Sequence, residues 1–252
     1  KRVLVTGGVG FIGSNLIQGL IKHGYKVYSI DDYSSGVSGN ESTEVEYIKM
    51  DIMNISNLKE KFDLCFHLAA KTLVQESFQQ VEEYFNCNVT GTLNVVKWAS
   101  ENNIKLIYAG SASRHNNPSS SPYSLTKFLG EEICKLYKLN FNLNVEIARF
   151  YNVYGPLEKI DKINGNVIGI WTTKAMKGDP LPIVGDGMQR RDFTHVQDIV
   201  DGLIKIGFSE ISQEDGWELG TGNNYSVNEL FEMFRLRFGA KSKFIPDQPG
   251  NY

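Results

Sequence analysis

The chain has 252 residues and a formal net charge of -3, which gives no electrostatic reason to invoke nucleic acid or an anionic membrane surface. No apolar run approaches the ~20 residues that span a bilayer, and no His/Cys spacing suggests a metal site. The three cysteines, Cys65, Cys87 and Cys134, are odd in number and far apart, which implies reduced thiols and a cytoplasmic location.

The length suits one large α/β unit or two intimately joined parts. No signal peptide precedes the first strand, although Lys1 in place of methionine leaves room for a few missing residues. Val3-Leu4-Val5 reads as a buried strand, glycines follow at positions 7, 10 and 13, and Phe11 to Ile21 is an apolar, helix-compatible run. A strand, tight turn and helix start of this kind cradle a dinucleotide pyrophosphate. Gly7 permits the turn, Gly10 lets backbone approach phosphate, and Gly13 lets the helix pack close to the strand. The spacing is Gly-x-x-Gly-x-x-Gly, and a glycine triplet alone fits a structural turn equally well. Lys26 to Ile30 reads as a second strand ending in Asp31-Asp32. A carboxylate there accepts hydrogen bonds from the adenosine ribose and repels a 2′-phosphate, which favours NAD over NADP; a solvated turn aspartate is the plain alternative.

A polar loop, Tyr33 to Ser42, leads to a short strand at Val45 to Ile48 that ends near Asp51-Ile52. Asp51 is placed either to reach an adenine amino group or to cap a helix. Leu64 to Ala70 is the next buried strand, and its ending, Leu68-Ala69-Ala70, leaves room for a cofactor against the backbone. His67 sits among apolar neighbours and reads as a hydrogen-bonded core histidine rather than a catalytic one. Val81 to Ser100 reads as one long helix with Val89, Leu93, Val96 and Trp98 on its apolar face; Asn88, polar on that face, ties the sheet edge to the cofactor. Ile104 to Ala109 is another strand, followed by Gly110-Ser111-Ala112-Ser113, and Pro122 opens a helix to about Leu139. This alternation predicts a parallel sheet covered on both faces. Further on, Val167 to Lys177 reads as a helix and Leu181 to Val184 as an edge strand that tolerates Pro182. His195 to Phe208 is a helix, Trp217 to Gly220 a late strand and Val227 to Phe238 a last amphipathic helix.

Tyr123 and Lys127 are four apart, so on a helix they share one face. A lysine ammonium beside a phenol favours the phenolate, which lets a group that titrates near ~10 when unperturbed serve as general acid/base. Ser111, at the carboxyl end of the preceding strand, can hydrogen-bond the same substrate oxygen. A Tyr-x-x-x-Lys pair alone is common in helices; tied to the glycine turn, the acidic strand end and this serine, it is specific.

With these residues in place, the chain resembles an extended short-chain dehydrogenase/reductase of the nucleotide-sugar epimerase/dehydratase branch, closest in pattern to UDP-glucose 4-epimerase-like members. The blocks that carry the resemblance are Thr6 to Gly13, His67 to Ala70, Asn88 to Thr92, Ser121 to Lys127, Ala148 to Pro156 and Gly185 to Phe193. The resemblance implies a Rossmann-type, doubly wound parallel sheet over residues 1–155, to which 193–222 return. It implies a smaller substrate-binding lobe from 156–192 and 223–252. It assigns catalysis to Ser111, Tyr123 and Lys127. It assigns NAD to Gly7, Gly10, Phe11, Ile12, Gly13, Asp31, Asp32, Asp51, Ile52, Leu68, Ala69, Ala70, Asn88, Tyr123, Lys127 and Tyr151. Ser113, Asn152, Ile183 and Arg191 would contact substrate, with Arg191 paired to diphosphate; a surface salt-bridge knot at Arg190-Arg191-Asp192 is the alternative.

The same resemblance implies that Tyr123 takes the proton of a sugar hydroxyl as hydride leaves, and that the flat keto sugar rotates and receives hydride on its other face. A homodimer through the helices Val81 to Ser100 and Tyr123 to Leu139 is also implied. Three departures stand out. Only Ala112 to Pro122 bridges Ser111 to Tyr123, Ser113-Arg114-His115 replaces the family's tyrosine-glycine, and Pro246 to Tyr252 falls where relatives continue. Dehydratases of the family carry an Asp-Glu pair just after the serine, and this chain has Ala112-Ser113-Arg114-His115. The expectation is therefore 4-epimerisation of a UDP-sugar. A dehydratase or reductase, or a catalytically silent NAD-binding protein, remains the alternative.

Overall fold

The computed structural model describes residues 1–158, 166–247 and 249. The strands are β1 (Arg2–Thr6), β2 (Lys26–Asp31), β3 (Glu46–Lys49), β4 (Leu64–His67), β5 (Lys105–Ser111), β6 (Val145–Phe150), β7 (Asn152–Tyr154), β8 (Leu181–Val184), β9 (Arg190–Arg191), β10 (Phe193–His195), β11 (Trp217–Leu219), β12 (Tyr225–Ser226) and β13 (Ser242–Ile245). The helices are α1 (Phe11–Lys22), α2 (Val74–Ser77), α3 (Val81–Phe85), α4 (Thr92–Glu101), α5 (Pro122–Asn140), α6 (Val167–Lys177), α7 (Val196–Phe208) and α8 (Val227–Phe238).

Seven strands form one parallel sheet in the order β11-β6-β5-β4-β1-β2-β3. The strand order reverses between β1 and β4, and in such sheets the crevice beyond the carboxyl ends at the reversal is where ligands bind. Register lines those ends up. Thr6 lies beside both Ile30 and His67, and His67 lies beside Tyr108. β1 and β4 are buried almost throughout, as strands covered on both faces must be. One face packs Tyr28, Phe62, Trp98, Leu106 and Cys134 under α4 and α5; the other packs Leu16, Leu20, Phe66, Val200 and Leu203 under α1 and α7.

A smaller apolar cluster joins Trp171, Leu181, Ile183, Leu230 and Phe234 from α6, β8 and α8. The Trp171 indole donates to the Pro182 carbonyl at 2.9 Å. β8 runs parallel to β13, whose partner position opposite Pro182 is Lys243. β9 pairs antiparallel with β12, and β7 parallel with β10. Asn15, one turn into α1, donates to the Pro156 carbonyl at 2.9 Å, fastening the segment that enters this second cluster to the first helix.

The stretch expected as one helix from Val81 to Ser100 is interrupted. A π-helical turn, Asn86–Gly91, separates α3 from α4. The wider turn rotates the following face, so Val95, Val96, Trp98 and Ala99 are buried while Leu93, expected inside, is exposed and Val89 is half-buried. Of the closing residues, 248 and 250–252 lie outside the described ones.

Candidate active site

Why the chain turns as it does after β1 follows from space. Gly7 has φ +75°, and a Cβ on it would stand 2.7 Å from the Ala69 nitrogen. A Cβ on Gly13 would stand 2.1 Å from the Gly7 carbonyl oxygen. Both positions therefore need glycine. Gly10 caps α1 without a side chain, and the first helical hydrogen bond runs from Ser14 N–H to its carbonyl at 2.9 Å. The amides of Phe11, Ile12 and Gly13 are thus the unpaired first turn of a helix, with the positive end of its dipole. Such a turn holds an anion.

Asp31, at the end of β2, is tied to this turn. Its carboxylate accepts from Val9 N–H at 3.1 Å and Tyr33 N–H at 2.8 Å. Burial pushes its pKa up, and those two amides pull against the rise. Asp32 is exposed and accepts from the Ser34 backbone and hydroxyl at 2.9 and 2.7 Å, the plain turn role. Asp51 accepts from Met53 N–H at 2.8 Å, capping the short 3-10 turn that begins at Ile52, which is buried. Asp32, Met50, Asp51 and Asn54 line one open cavity of about 550 Å³.

At the end of β4, Leu68 N–H donates to the Thr6 carbonyl at 3.1 Å and Ala69 N–H to the Thr6 hydroxyl at 3.2 Å. Ala69 and Ala70 are half-buried, and the Ala69 backbone lies against Gly7. Asn88 sits in the π turn, fully buried. It accepts from Lys71 N–H at 2.8 Å and donates to the Lys71 carbonyl at 2.9 Å and the Thr126 hydroxyl at 3.1 Å. It joins the loop after β4 to α5. His67 lies in the core between the Thr6 and Thr92 hydroxyls at 2.7 and 3.1 Å, as expected of a structural histidine.

The chemistry gathers at the end of β5. Ser121 caps α5, accepting from Ser124 N–H at 3.1 Å, and Pro122 occupies the first turn. That start places the Tyr123 hydroxyl 3.3 Å from Ser111 Oγ. Ser111 Oγ also accepts from the Ser113 hydroxyl at 2.9 Å and the Ser113 N–H at 3.2 Å. Lys127, one turn along α5, is buried and donates to the Ala109 carbonyl at 2.6 Å. Its ammonium stands 4.6 Å from the Tyr108 ring centre. Burial pulls its pKa down to about 8, against the pull of Glu131.

Tyr151 turns its hydroxyl to Glu218 at 2.9 Å, and burial together with that carboxylate pushes the phenol up to about 12. Asn152 N–H and side-chain amide both donate to the Asp192 carbonyl, at 3.0 and 3.2 Å. Arg191 is half-buried on β9 and donates to the Arg190 carbonyl at 2.8 Å. Arg190 fills the salt-bridge role: it pairs with Glu229 at 3.1 Å and with Asn224. Ile183 buries its side chain in the second apolar cluster, so what it offers a ligand is backbone. The structure thus brings Ser111, Ser113 and Tyr123 into one hydrogen-bonded group. Gly7, Gly13 and Asp31 share a second group, and Asn152 and Arg191 lie on a third, in the strand pairs beyond β6. Sequence reasoning missed Glu131, Arg149 and Glu218; the i, i+4, i+8 spacing of Tyr123, Lys127 and Glu131 was the available signal for the first.

Residues 3–212 match the model of the NAD dependent epimerase/dehydratase family. The chain belongs to that family. It is similar to a UDP-glucose 4-epimerase of Mycolicibacterium smegmatis, 30% identical over 272 residues that cover 98% of this chain and 84% of the relative. A UDP-N-acetyl-alpha-D-glucosaminuronate decarboxylase of Bacillus cytotoxicus is 31% identical over 268 residues, covering 97% of this chain and 83% of the relative. Among solved structures, a UDP-glucuronic acid 4-epimerase from Bacillus cereus, in complex with UDP-glucuronic acid and NAD, superposes with a TM-score of 0.90. The two are 28% identical, over 100% of this chain and 88% of that one.

Proposed function

We propose that the protein is an NAD-dependent UDP-sugar 4-epimerase. The observation that carries this reading is the Tyr123 hydroxyl 3.3 Å from Ser111 Oγ, beside a glycine-walled cradle with a free helix start. The turn suits a dinucleotide: Gly7 and Gly13 let it close tightly, since a Cβ on either would strike backbone, the first turn of α1 would receive the pyrophosphate, and Asp31 would meet the ribose. NAD supplies a hydride acceptor and donor at the sugar carbon. Everything else falls to this chain.

Ser111 Oγ stands within hydrogen-bonding distance of the Tyr123 and Ser113 hydroxyls, so a substrate oxygen held by Tyr123 is in reach of the serine as well. Tyr123 acts as the phenolate, which the Lys127 ammonium one turn behind it favours; it takes the proton of the 4-hydroxyl to become the phenol and gives it back after the ring has turned over. Asn152 and Arg191 stand on the strand pairs that would hold the nucleotide diphosphate, Arg191 through its planar guanidinium. The residues after Ser111, Ala112 to His115, form a 3-10 turn without a carboxylate, which disfavours dehydration. We place the division of labour at residues 1–155 with 193–222 for the cofactor, and 156–192 with 223–252 for the substrate. The described cysteines are unlinked, consistent with a cytoplasmic enzyme, and we expect it to act as a homodimer.

The test is Tyr123→Phe, with a panel of UDP-sugars followed at the C4 proton by NMR. We expect turnover to fall by about 10²–10⁴-fold, the range of a lost acid/base, with NAD still bound. Full activity in the variant removes the catalytic reading and leaves an NAD-binding protein. Stoichiometric loss of carbon dioxide from a uronate in the wild type would reassign it as a decarboxylase.

A further inference from the structure

A buried ionic cluster lies directly behind the site, and its centre is Glu131. Tyr123, Lys127 and Glu131 recur every four residues on α5 and so share one face. Glu131 is fully buried. Its carboxylate accepts from Arg149 Nε at 3.0 Å and forms ion pairs with Arg149 Nη2 at 3.0 Å and Arg114 Nε at 3.4 Å. On the β5 side it accepts from the Ser111 N–H at 3.4 Å. Arg149, equally buried, continues to Glu218 at 2.7 Å, which His115 and Tyr151 also meet at 3.0 and 2.9 Å. Gly110 makes room for the pair: a Cβ there would stand 2.7 Å from Glu131 Oε1 and 3.0 Å from Arg149 Cγ.

We propose that Glu131 is a positioning residue for the acid/base machinery, anchoring the Ser111 backbone at the end of β5 and supplying the counter-charge of the Lys127 ammonium. This rests on the reading of Tyr123 and Lys127 as the acid/base pair. The groups that face Lys127 are Cys87 from the π turn, Tyr108 from β5, His67 from β4, and Tyr123, Cys134 and Glu131 from its own helix. Burial keeps Cys87, Cys134, Tyr108 and His67 in their neutral forms near pH 7. Glu131 is the carboxylate of the set; burial pushes its pKa up, and its ion pairs with Arg149 and Arg114 pull against that rise and favour the charge. A lysine so deeply buried loses its proton readily without a nearby anion. One carboxylate therefore serves two ends: the serine that orients the substrate and the ammonium that sets the phenol.

The measurement is a titration of Lys127 by NMR in protein carrying ¹³C-labelled lysine, its signal identified by loss in Lys127→Met. The wild-type midpoint is expected at about 8. In Glu131→Gln it should fall by about one unit, and the alkaline limb of the kcat–pH profile should fall with it while KM changes less. A buried arginine left alone can unfold the chain, so Glu131→Gln/Arg149→Met removes both charges together and should still show a fall in midpoint, smaller because a like charge near the ammonium goes with the carboxylate. Glu146→Gln, a buried carboxylate of β6 bonded to Trp217 and Lys138, should leave the midpoint in place. An unchanged midpoint in the folded Glu131 variants, or an equal fall in Glu146→Gln, overturns the proposal. The titration needs no substrate, so its failure is separate from the failure of Tyr123→Phe to lose turnover.

Discussion

At the scale of single residues, His67 shows how burial fixes a protonation state. The ring is enclosed between two threonine hydroxyls, and burial, with the Lys127 charge adding to it, pulls its pKa down to about 3. In the unfolded chain the same group takes up a proton near ~6.5. Between those values the unfolded state binds the extra proton, so stability falls as the pH drops through this window. We expect urea unfolding to show a loss of about 2 kcal/mol from pH 7 to pH 5 attributable to this histidine. His67→Gln, which keeps hydrogen-bonding capacity without titrating, should flatten that part of the curve. Parallel curves for the two proteins would sink the assignment. The Tyr123 and Glu131 variants belong to this scale as well, each reading one side chain through its effect on one proton.

The elements tell a different story about what a sequence discloses. The β1–Gly–α1 unit was legible because its glycines recur every third residue between an apolar strand and an apolar helix, although the atoms that exclude a Cβ at Gly7 belong to Ala69, far along the chain. The strands β4 and β5 were legible because a doubly covered strand must be apolar throughout. The π turn was not, since an extra residue in one helical turn leaves the local pattern helix-compatible and only shifts which face is wet. That shift exposes Leu93, while Asn88, inside the turn, is buried as its place on the apolar face implied. The Glu131–Arg149 pair escaped for a related reason: its partners lie on α5 and β6, and nothing in the spacing within either element announces the other. Ile183, foreseen on a site strand, has its side chain in the core, so a ligand contact there falls to its backbone.

Asn88→Ala tests the π turn itself. It strips Lys71 of partners for its N–H and carbonyl and leaves Thr126 without one of its contacts. We expect a destabilisation of about 1–3 kcal/mol in denaturant unfolding. A change below about 0.5 kcal/mol would mean that water replaces the amide without loss.

For the whole molecule, the surface carries its own message. Val81 on α3, Leu93 on α4, and Leu136 and Leu139 on α5 are exposed apolar side chains on the segments that the family resemblance assigns to a subunit contact. A second copy packed on these segments would cover them. Light scattering at micromolar concentration is expected to give twice the mass of one chain; a single-chain mass that does not change with concentration would count against the dimer.

The placement of β11 matters for biosynthesis. β6 is complete at residue 150, yet its neighbour on the outer side, Trp217–Leu219, is encoded some seventy positions later, after the chain has crossed the second apolar cluster. Glu218 arrives on that strand to meet Arg149. Until the ribosome has released this segment, the nascent sheet presents an open flank with a buried-to-be guanidinium, the kind of unfinished edge on which newly made chains associate wrongly.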